Sequence, residues 1–189
     1  MRVIGGSARG RKLVAPRDAR VRPTAGRIKE AIFNILSSRL PGFDGLRVLD
    51  IFAGTGNLGI EALSRGAAQA VFVDNHRESA TFIRKNLESL EFSDKGQIIV
   101  QDASVAIKIL GRTGGQFDIA FLDPPYGQGL AEKTLELLAS SPLLAPGAII
   151  VAEMGSREEI SSRIGSLEQF DRRRYGDTAV SFWSITESD

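Results

Sequence analysis

The residues best suited to chemistry are carboxylates that close apolar runs. Asp50 stands in LRVLDIF, Asp74 ends QAVFVD, Asp102 follows QIIVQ, and Asp123 follows FDIAFL. Asp123 is succeeded by Pro124, Pro125 and Tyr126. Proline removes a backbone donor and fixes φ, so this is a stiff corner carrying a carboxylate, carbonyl acceptors and an aromatic ring. Gly54-Thr55-Gly56-Asn57-Leu58-Gly59 fits G-x-G-x-x-G, and Asp74 lies twenty residues past Gly54. That is the dinucleotide fingerprint, in which the acidic residue takes a ribose hydroxyl. Asp50, four residues before Gly54, argues against a pyrophosphate, which a nearby carboxylate repels. It favours S-adenosylmethionine, which has an ammonium and a sulfonium and no phosphate. Each feature also has a plain structural reading. The glycines could only make a turn, Asp50 could cap loop amides, Asp102 could cap a helix, and the Asp-Pro-Pro corner could be a rigid turn.

These residues need a scaffold that presents strand ends. Runs with strand character at Leu46–Phe52, Gln69–Asp74, Gln97–Gln101, Phe117–Leu122 and Ala148–Ala152 alternate with helical patterns at Leu58–Arg65, Arg77–Leu90, Ser104–Leu110 and Leu130–Ala139. A weaker helix is expected near Glu158, and a terminal hairpin over Leu167–Tyr175 and Thr178–Ile185 with Gly176-Asp177 at its turn. Alternation of this kind predicts parallel βαβ units with helices on both faces. The expected fold is α/β, Rossmann-like and doubly wound. Its mostly parallel seven-stranded sheet ends in an antiparallel hairpin strand. A small N-terminal β-hairpin (residues 2–4 and 11–14) and a helix opened by Pro23-Thr24 precede it. Ligands of such sheets sit beyond the strand carboxyl ends, where all four aspartates fall. Two regions are expected: an extension over residues 1–40 and a catalytic domain over 41–189.

The 189 residues suffice for one full core. No cysteine and a single histidine, His76, leave thiolate and histidine metal sites without ligands, so no metal is expected. There is no secretory pattern at the start and no apolar stretch near ~18 residues, so a cytoplasmic protein without membrane contact is expected. Nothing suggests an obligate dimer, and a monomer is expected. The net charge of +1 hides an asymmetry. Residues 1–30 hold nine Lys/Arg against two Asp/Glu, a balance of +7, and the rest holds fifteen against twenty-one, a balance of −6. A basic arm on an acidic body attracts polyanions such as nucleic acid.

VLDIFAGTGNLGIEALSRGA resembles the first motif of Rossmann-like methyltransferases, and DPPY resembles the motif of those acting on planar exocyclic or amide nitrogens. The chemistry fits the residue types. Such a nitrogen is a poor nucleophile because its lone pair is delocalised, and acceptors at Asp123 and Pro124 would take its N–H bonds and aim the lone pair. The stiffness contributed by Pro124 and Pro125 preorganises those acceptors. Tyr126 offers a stacking surface for a flipped base, worth ~1–3 kcal/mol. The resemblance also implies cofactor contacts at Asp50, Phe52, Gly54, Thr55, Gly56, Asp74, Asn75, Asp102, Ala103 and Asp123. Gly54 and Gly56 would let the backbone approach the methionine part, Asp74 would hold the ribose and Asp102 the adenine amine. His76 reads as a bystander.

IGGSARGRKL and RPTAGRIKEAIFNIL, with the two motifs above, make the whole chain similar to the RsmD family, bacterial guanine-N2 methyltransferases of 16S ribosomal RNA at the nucleotide called guanine 966. The resemblance implies a partner, 16S ribosomal RNA or the small ribosomal subunit, with RNA contacts at Arg9, Arg11, Lys12, Arg22, Thr24 and Arg27. Rival readings are methylation of adenine N6 or of a glutamine amide with the same DPPY chemistry. More distant ones are an NAD-dependent dehydrogenase and a non-catalytic RNA-binding module.

Overall fold

Five β-rich runs form the parallel part of one sheet because each is apolar on both faces and connected to the next by a helix. The computed structural model describes residues 1–16, 23–113 and 115–186, with only the backbone of residues 23–25. In chain order the elements are α1 (Pro23–Arg39), β1 (Arg47–Ile51), α2 (Asn57–Ser64), β2 (Gln69–Asp74), α3 (Arg77–Ser89), β3 (Gly96–Val100), α4 (Ala103–Arg112), β4 (Phe117–Leu122), α5 (Leu130–Ala139), β5 (Leu144–Gly155), β6 (Arg163–Ile164), β7 (Leu167–Tyr175) and β8 (Thr178–Ile185). The sheet order is β3-β2-β1-β4-β5-β8-β7-β6. Strands β3 to β5 in that order pair in parallel, and β8, β7 and β6 add antiparallel.

Three details differ from the sequence expectation. The sheet has eight strands rather than seven, because the two-residue β6 pairs with the start of β7. No helix forms near Glu158. Its side chain instead accepts the amides of Gly155 at 2.8 Å and Gly127 at 2.9 Å, tying the turn after β5 to the loop after Tyr126. The N-terminal hairpin reduces to one antiparallel bridge, Arg2 with Lys12, beside a loop. The terminal hairpin falls where the turn residues predicted it.

Period-2 alternation divides the core into two layers. Val48, Phe121, Val151 and Val180 face a cluster that includes Ile28, Ile32, Phe33 and Leu36 of α1 and Ile60 and Leu63 of α2. Leu49, Ile51, Leu122, Ala152 and Met154 face the opposite cluster, with Ile107 of α4 and Leu135 of α5. Phe33 of α1 lies 5.7 Å, centroid to centroid, from both Phe121 and Phe43. Helix α1 therefore packs on the same sheet face toward which Asp50 points.

The chain runs outward from β1 to β2 and β3, then returns to β4 on the other side of β1. The crevice past β1 and β4 is the topological switch point of a doubly wound sheet. Two backbone bonds set its walls: Ala53 N–H donates to Val73 O at 3.0 Å and Asp123 N–H to Ile51 O at 3.4 Å. No helix among the described residues is long and apolar enough to cross a membrane.

Candidate active site

The same alternation that builds the core lines up three carboxylates. Asp50 pairs in register with Phe121, and Phe121 with Val151. Asp123 and Glu153 lie two residues past those partners, so β1, β4 and β5 present acidic side chains on one face. All three line a cavity of about 320 Å³, with Lys29, Gly54, Asn57, Tyr126 and Thr178 among its other walls. A wider cavity of about 650 Å³ lies on the β2 and β3 side, walled by Asp74, Asn75, His76, Asp102, Pro124 and Pro125 among others. Phe52, Gly54, Asp123 and Tyr126 border both cavities, so they form the waist between them.

Local geometry explains how each group is held. Asp50 is buried, and its Oδ2 accepts the Gly59 amide of α2 at 2.8 Å. A Cβ on Gly59 would come 2.4 Å from the Phe72 ring, so only glycine lets the helix approach that closely. Phe52 takes the left-handed φ of 63°, which is rare for an aromatic residue and turns the chain sharply into the loop. A Cβ on Gly54 would meet nothing within 4 Å, so the missing side chain leaves open space at the waist. Asp74 accepts the Gly54 amide at 2.8 Å through Oδ2 and the His76 amide at 2.9 Å through Oδ1. Asp102 caps α4, accepting the Ser104 amide at 2.8 Å and hydroxyl at 2.6 Å. The Tyr126 hydroxyl lies 3.3 Å from Thr178 Oγ1 and shares a hydrogen bond with Glu153.

The electrostatics follow from burial without counter-charge. Desolvation raises the Asp50 carboxyl to about 8, with Asp123 and Asp74 adding repulsion and the Gly59 amide offsetting part. Desolvation and the charges of Asp123 and Asp50 raise Glu153 to about 8, against the bond from Tyr126. Asp123 is raised to about 6 by desolvation between the cavity walls, although its side chain still opens to solvent at the waist. Exposed Asp102 is lowered by its bonds from Ser104. Among the described residues, no group of three or more His, Asp or Glu side chains is placed to hold a metal ion.

Most residues singled out in the sequence converge here. Thr55 also lines the smaller cavity. Gly56 and Ala103 do not line either cavity. Gly56 makes the turn into α2 at φ 77°, and Ala103, the first residue of α4, is buried in the core. On the basic arm, Arg9, Lys12 and Arg27 are exposed. The Arg11 guanidinium donates to Ser89 O at the end of α3, which gives it a structural task. Arg22 and the side chain of Thr24 lie outside the described residues.

Among the wall residues that escaped the sequence reading are Glu153, Lys29, Asn57 and Thr178. Glu153 carried a visible signal, a carboxylate at the end of an apolar run in AIIVAEMG. Lys29, Asn57 and Thr178 carried none. Lys29 is buried in α1, and its Nζ contacts Glu61 Oε2 at 3.0 Å, Asn57 Oδ1 at 2.9 Å and Arg2 O at 2.6 Å. Burial lowers its pKa, against the pull of Glu61.

A family model described as "Conserved hypothetical protein 95" matches residues 1–184. The Bacillus subtilis protein YlbH is 38% identical over 183 residues, covering 97% of this chain and 98% of that one. The Escherichia coli K12 protein named ribosomal RNA small subunit methyltransferase D is 39% identical over 153 residues, covering 81% and 74%. A solved structure of the Escherichia coli protein yhhF superposes with a TM-score of 0.83 at 31% identity, covering 98% of this chain and 97% of that one.

Proposed function

The chain belongs to the RsmD family, whose model spans residues 1–184, and from that premise we propose that it methylates the exocyclic N2 of a guanine in 16S ribosomal RNA, the 966 type, in the cytoplasm. S-adenosylmethionine is the methyl donor in this reading. The relatives named ribosomal RNA small subunit methyltransferase D support the substrate class. The single observation that carries the reaction is the position of Asp123 and Tyr126 at the waist where two cavities meet.

The walls suit S-adenosylmethionine better than a dinucleotide. The amides of Gly54 and Gly59, which open the loop and helix, already bond to Asp74 and Asp50. A pyrophosphate would find them taken and would face carboxylates. A sulfonium and an ammonium would instead relieve the crowding of Asp50 and Asp123. Asp74, Asn75 and Asp102 line the wider cavity for the adenosine, and the open space at Gly54 admits a close approach of the ligand to the backbone. When bound, the cofactor supplies an electrophilic methyl group.

The chain's own residues do the rest. The Asp123 carboxylate and the Pro124 carbonyl accept the amine N–H bonds and orient the nitrogen lone pair. The Tyr126 ring, 38% exposed, receives the flipped base. Methylation leaves an acidic N–H on the nitrogen, and Asp123, raised to about 6, can take that proton. Arg9, Lys12 and Arg27 are exposed and, among the described residues, carry no side-chain bond, which suits them to meet RNA phosphates.

The test is transfer of labelled methyl to 16S ribosomal RNA from cells lacking the activity, with the labelled atom mapped. Label on guanine N2 supports the reading. Label on adenine N6 or on protein overturns it, and heat of binding with NAD but not S-adenosylmethionine would replace the cofactor.

A further inference from the structure

Three carboxylates face the smaller cavity, and the reaction proposed above employs two: Asp50 toward a cationic ligand and Asp123 toward the amine. Glu153 has no part in it. Yet Glu153 stands beside Asp123 in the next strand, on the same sheet face, and both line one cavity. It is hydrogen-bonded to Tyr126, whose hydroxyl also meets Thr178 at 3.3 Å. Thr178 opens β8, directly beyond the Glu153–Val180 register pair. Glu153 is therefore fixed between the amine clamp and the ring on which a base would stack. A carboxylate half-buried in a cavity wall is costly unless something pairs with it, and Tyr126 supplies one donor only.

The bases differ in what lies beside the reactive amine. Guanine places a second donor, N1–H, next to its N2 amine. Adenine places the bare N1 lone pair next to its N6 amine. A second acceptor beside Asp123 complements the first pattern and repels the second. We infer that Glu153 accepts the N1–H of the target guanine, so that Asp123 and Glu153 together select a base with two adjacent donors. The inference rests on the guanine-N2 reading. It assigns Glu153 to substrate choice and leaves the methyl-transfer step to the residues already described.

The probe is a base that keeps the amine and loses the donor. Small-subunit RNA is prepared with guanine or 2-aminopurine at the methylated nucleotide, since 2-aminopurine has the same C2 amine beside an unprotonated N1. The ratio of kcat/KM for the two RNAs is measured above the pKa of about 8 that burial gives Glu153. The wild-type protein is expected to favour guanine by roughly tenfold or more, the size of one well-placed base contact. In Glu153→Gln, whose amide can donate to N1, the preference should fall to about parity. Tyr126→Phe keeps the Glu153 carboxylate, so its ratio should stay near wild type while overall activity falls. A general loss of stability lowers both rates and leaves the ratio unchanged.

A Glu153→Gln ratio equal to wild type overturns the inference and leaves the guanine-N2 reading standing. So does a Tyr126→Phe ratio that shifts as far as that of Glu153→Gln, because Glu153 would then act through the ring. Wild-type methylation at an atom other than guanine N2 overturns both. Entry of 2-aminopurine into the cavity can be followed separately by quenching of its fluorescence, and binding of that RNA should be tighter in Glu153→Gln than in wild type; equal or weaker binding in the variant counts against the inference.

Discussion

Asp50 and Glu61 are both buried carboxylates near the mouth of the same loop, 2% and 0% exposed, yet their surroundings are opposite. Glu61 is saturated. Its Oε1 takes the Gly5 amide at 2.8 Å and Arg65 Nε at 3.0 Å, and its Oε2 takes the Ile4 amide at 2.9 Å and Lys29 Nζ at 3.0 Å. Asp50 has one amide, from Gly59, and its charged neighbours are Asp74 and Asp123. Two cations and two amides make Glu61 a fastener: it holds the start of the chain, α1 and α2 at one point. Asp50 is left short of positive charge, and burial raises it to about 8. The difference teaches where to look for a ligand. A protein matches buried charge with its own cations where it is building, and leaves it unmatched where a cationic ligand completes the set.

Removing the fastener is the largest disturbance the comparison predicts. Glu61→Ala strips four donors of their acceptor and leaves the Lys29 ammonium buried without its carboxylate. Breaking a buried pair on one side costs about 3–5 kcal/mol. Urea denaturation should show a loss of that size. A loss under about 1 kcal/mol would mean that packing of Val3, Ala8 and Leu13, and not the charge cluster, holds the arm.

On the unmatched side, Asp123→Ala should lower methyl transfer by about 10²–10³-fold, the usual effect of deleting one preorganised group at a reacting centre. S-adenosylmethionine affinity by calorimetry should change much less, because Asp50 and the wider cavity remain. Full turnover in this variant would remove Asp123 from the reaction.

Asp50→Asn tests the comparison itself. Asn can still accept the Gly59 amide, so only the charge is lost. The wild-type carboxyl is raised to about 8 in the folded state and is ordinary when unfolded. Its favourable contribution is therefore full below the unfolded pKa of about 3.9 and is lost as pH rises toward 8. The Asn variant should match wild type in stability near the acid end and exceed it by about 1–2 kcal/mol at pH 8, a common trade between stability and function. Its S-adenosylmethionine affinity should fall by about tenfold, one lost ion contact. A variant less stable than wild type at pH 8 would make Asp50 a second Glu61.

How much of this was legible depended on whether the signal was local. Asp74, Asp102 and Asp123 could be found because each ends or follows an apolar run, and Asp50 because it stands four residues before the glycine loop; strand ends are where this fold presents ligands. Glu153 gave the same signal in AIIVAEMG but was passed over, since β5 was expected to stop at Ala152. Pairing with β8 carries it on to Gly155, and that pairing joins segments about thirty residues apart. Lys29 was invisible because its burial is decided by Glu61 and Asn57, which reach it only once α1 lies across α2. The helix expected near Glu158 failed for a partly similar reason: its side chain is claimed by the distant Gly127 amide together with the nearby Gly155 amide. The mostly parallel strand–helix alternation and the terminal hairpin were readable from periodicity and turn residues, which act over a few positions.

The smallest effect concerns the arm that Glu61 fastens. If that cluster serves to present cations to RNA, the exposed basic residues should act through charge alone. Arg11 is a poor probe, because its guanidinium also holds Ser89 O and its removal would disturb the docking. Arg9 and Lys12 are exposed and have no side-chain bond among the described residues. Each phosphate contact adds about 0.7–0.9 to the slope of log K against log salt. Arg9→Ala with Lys12→Ala should therefore flatten the slope for 16S RNA binding by about 1.5, with denaturation unchanged within about 0.5 kcal/mol. An unchanged slope would place the RNA phosphates on another face and leave the fastener a structural device only.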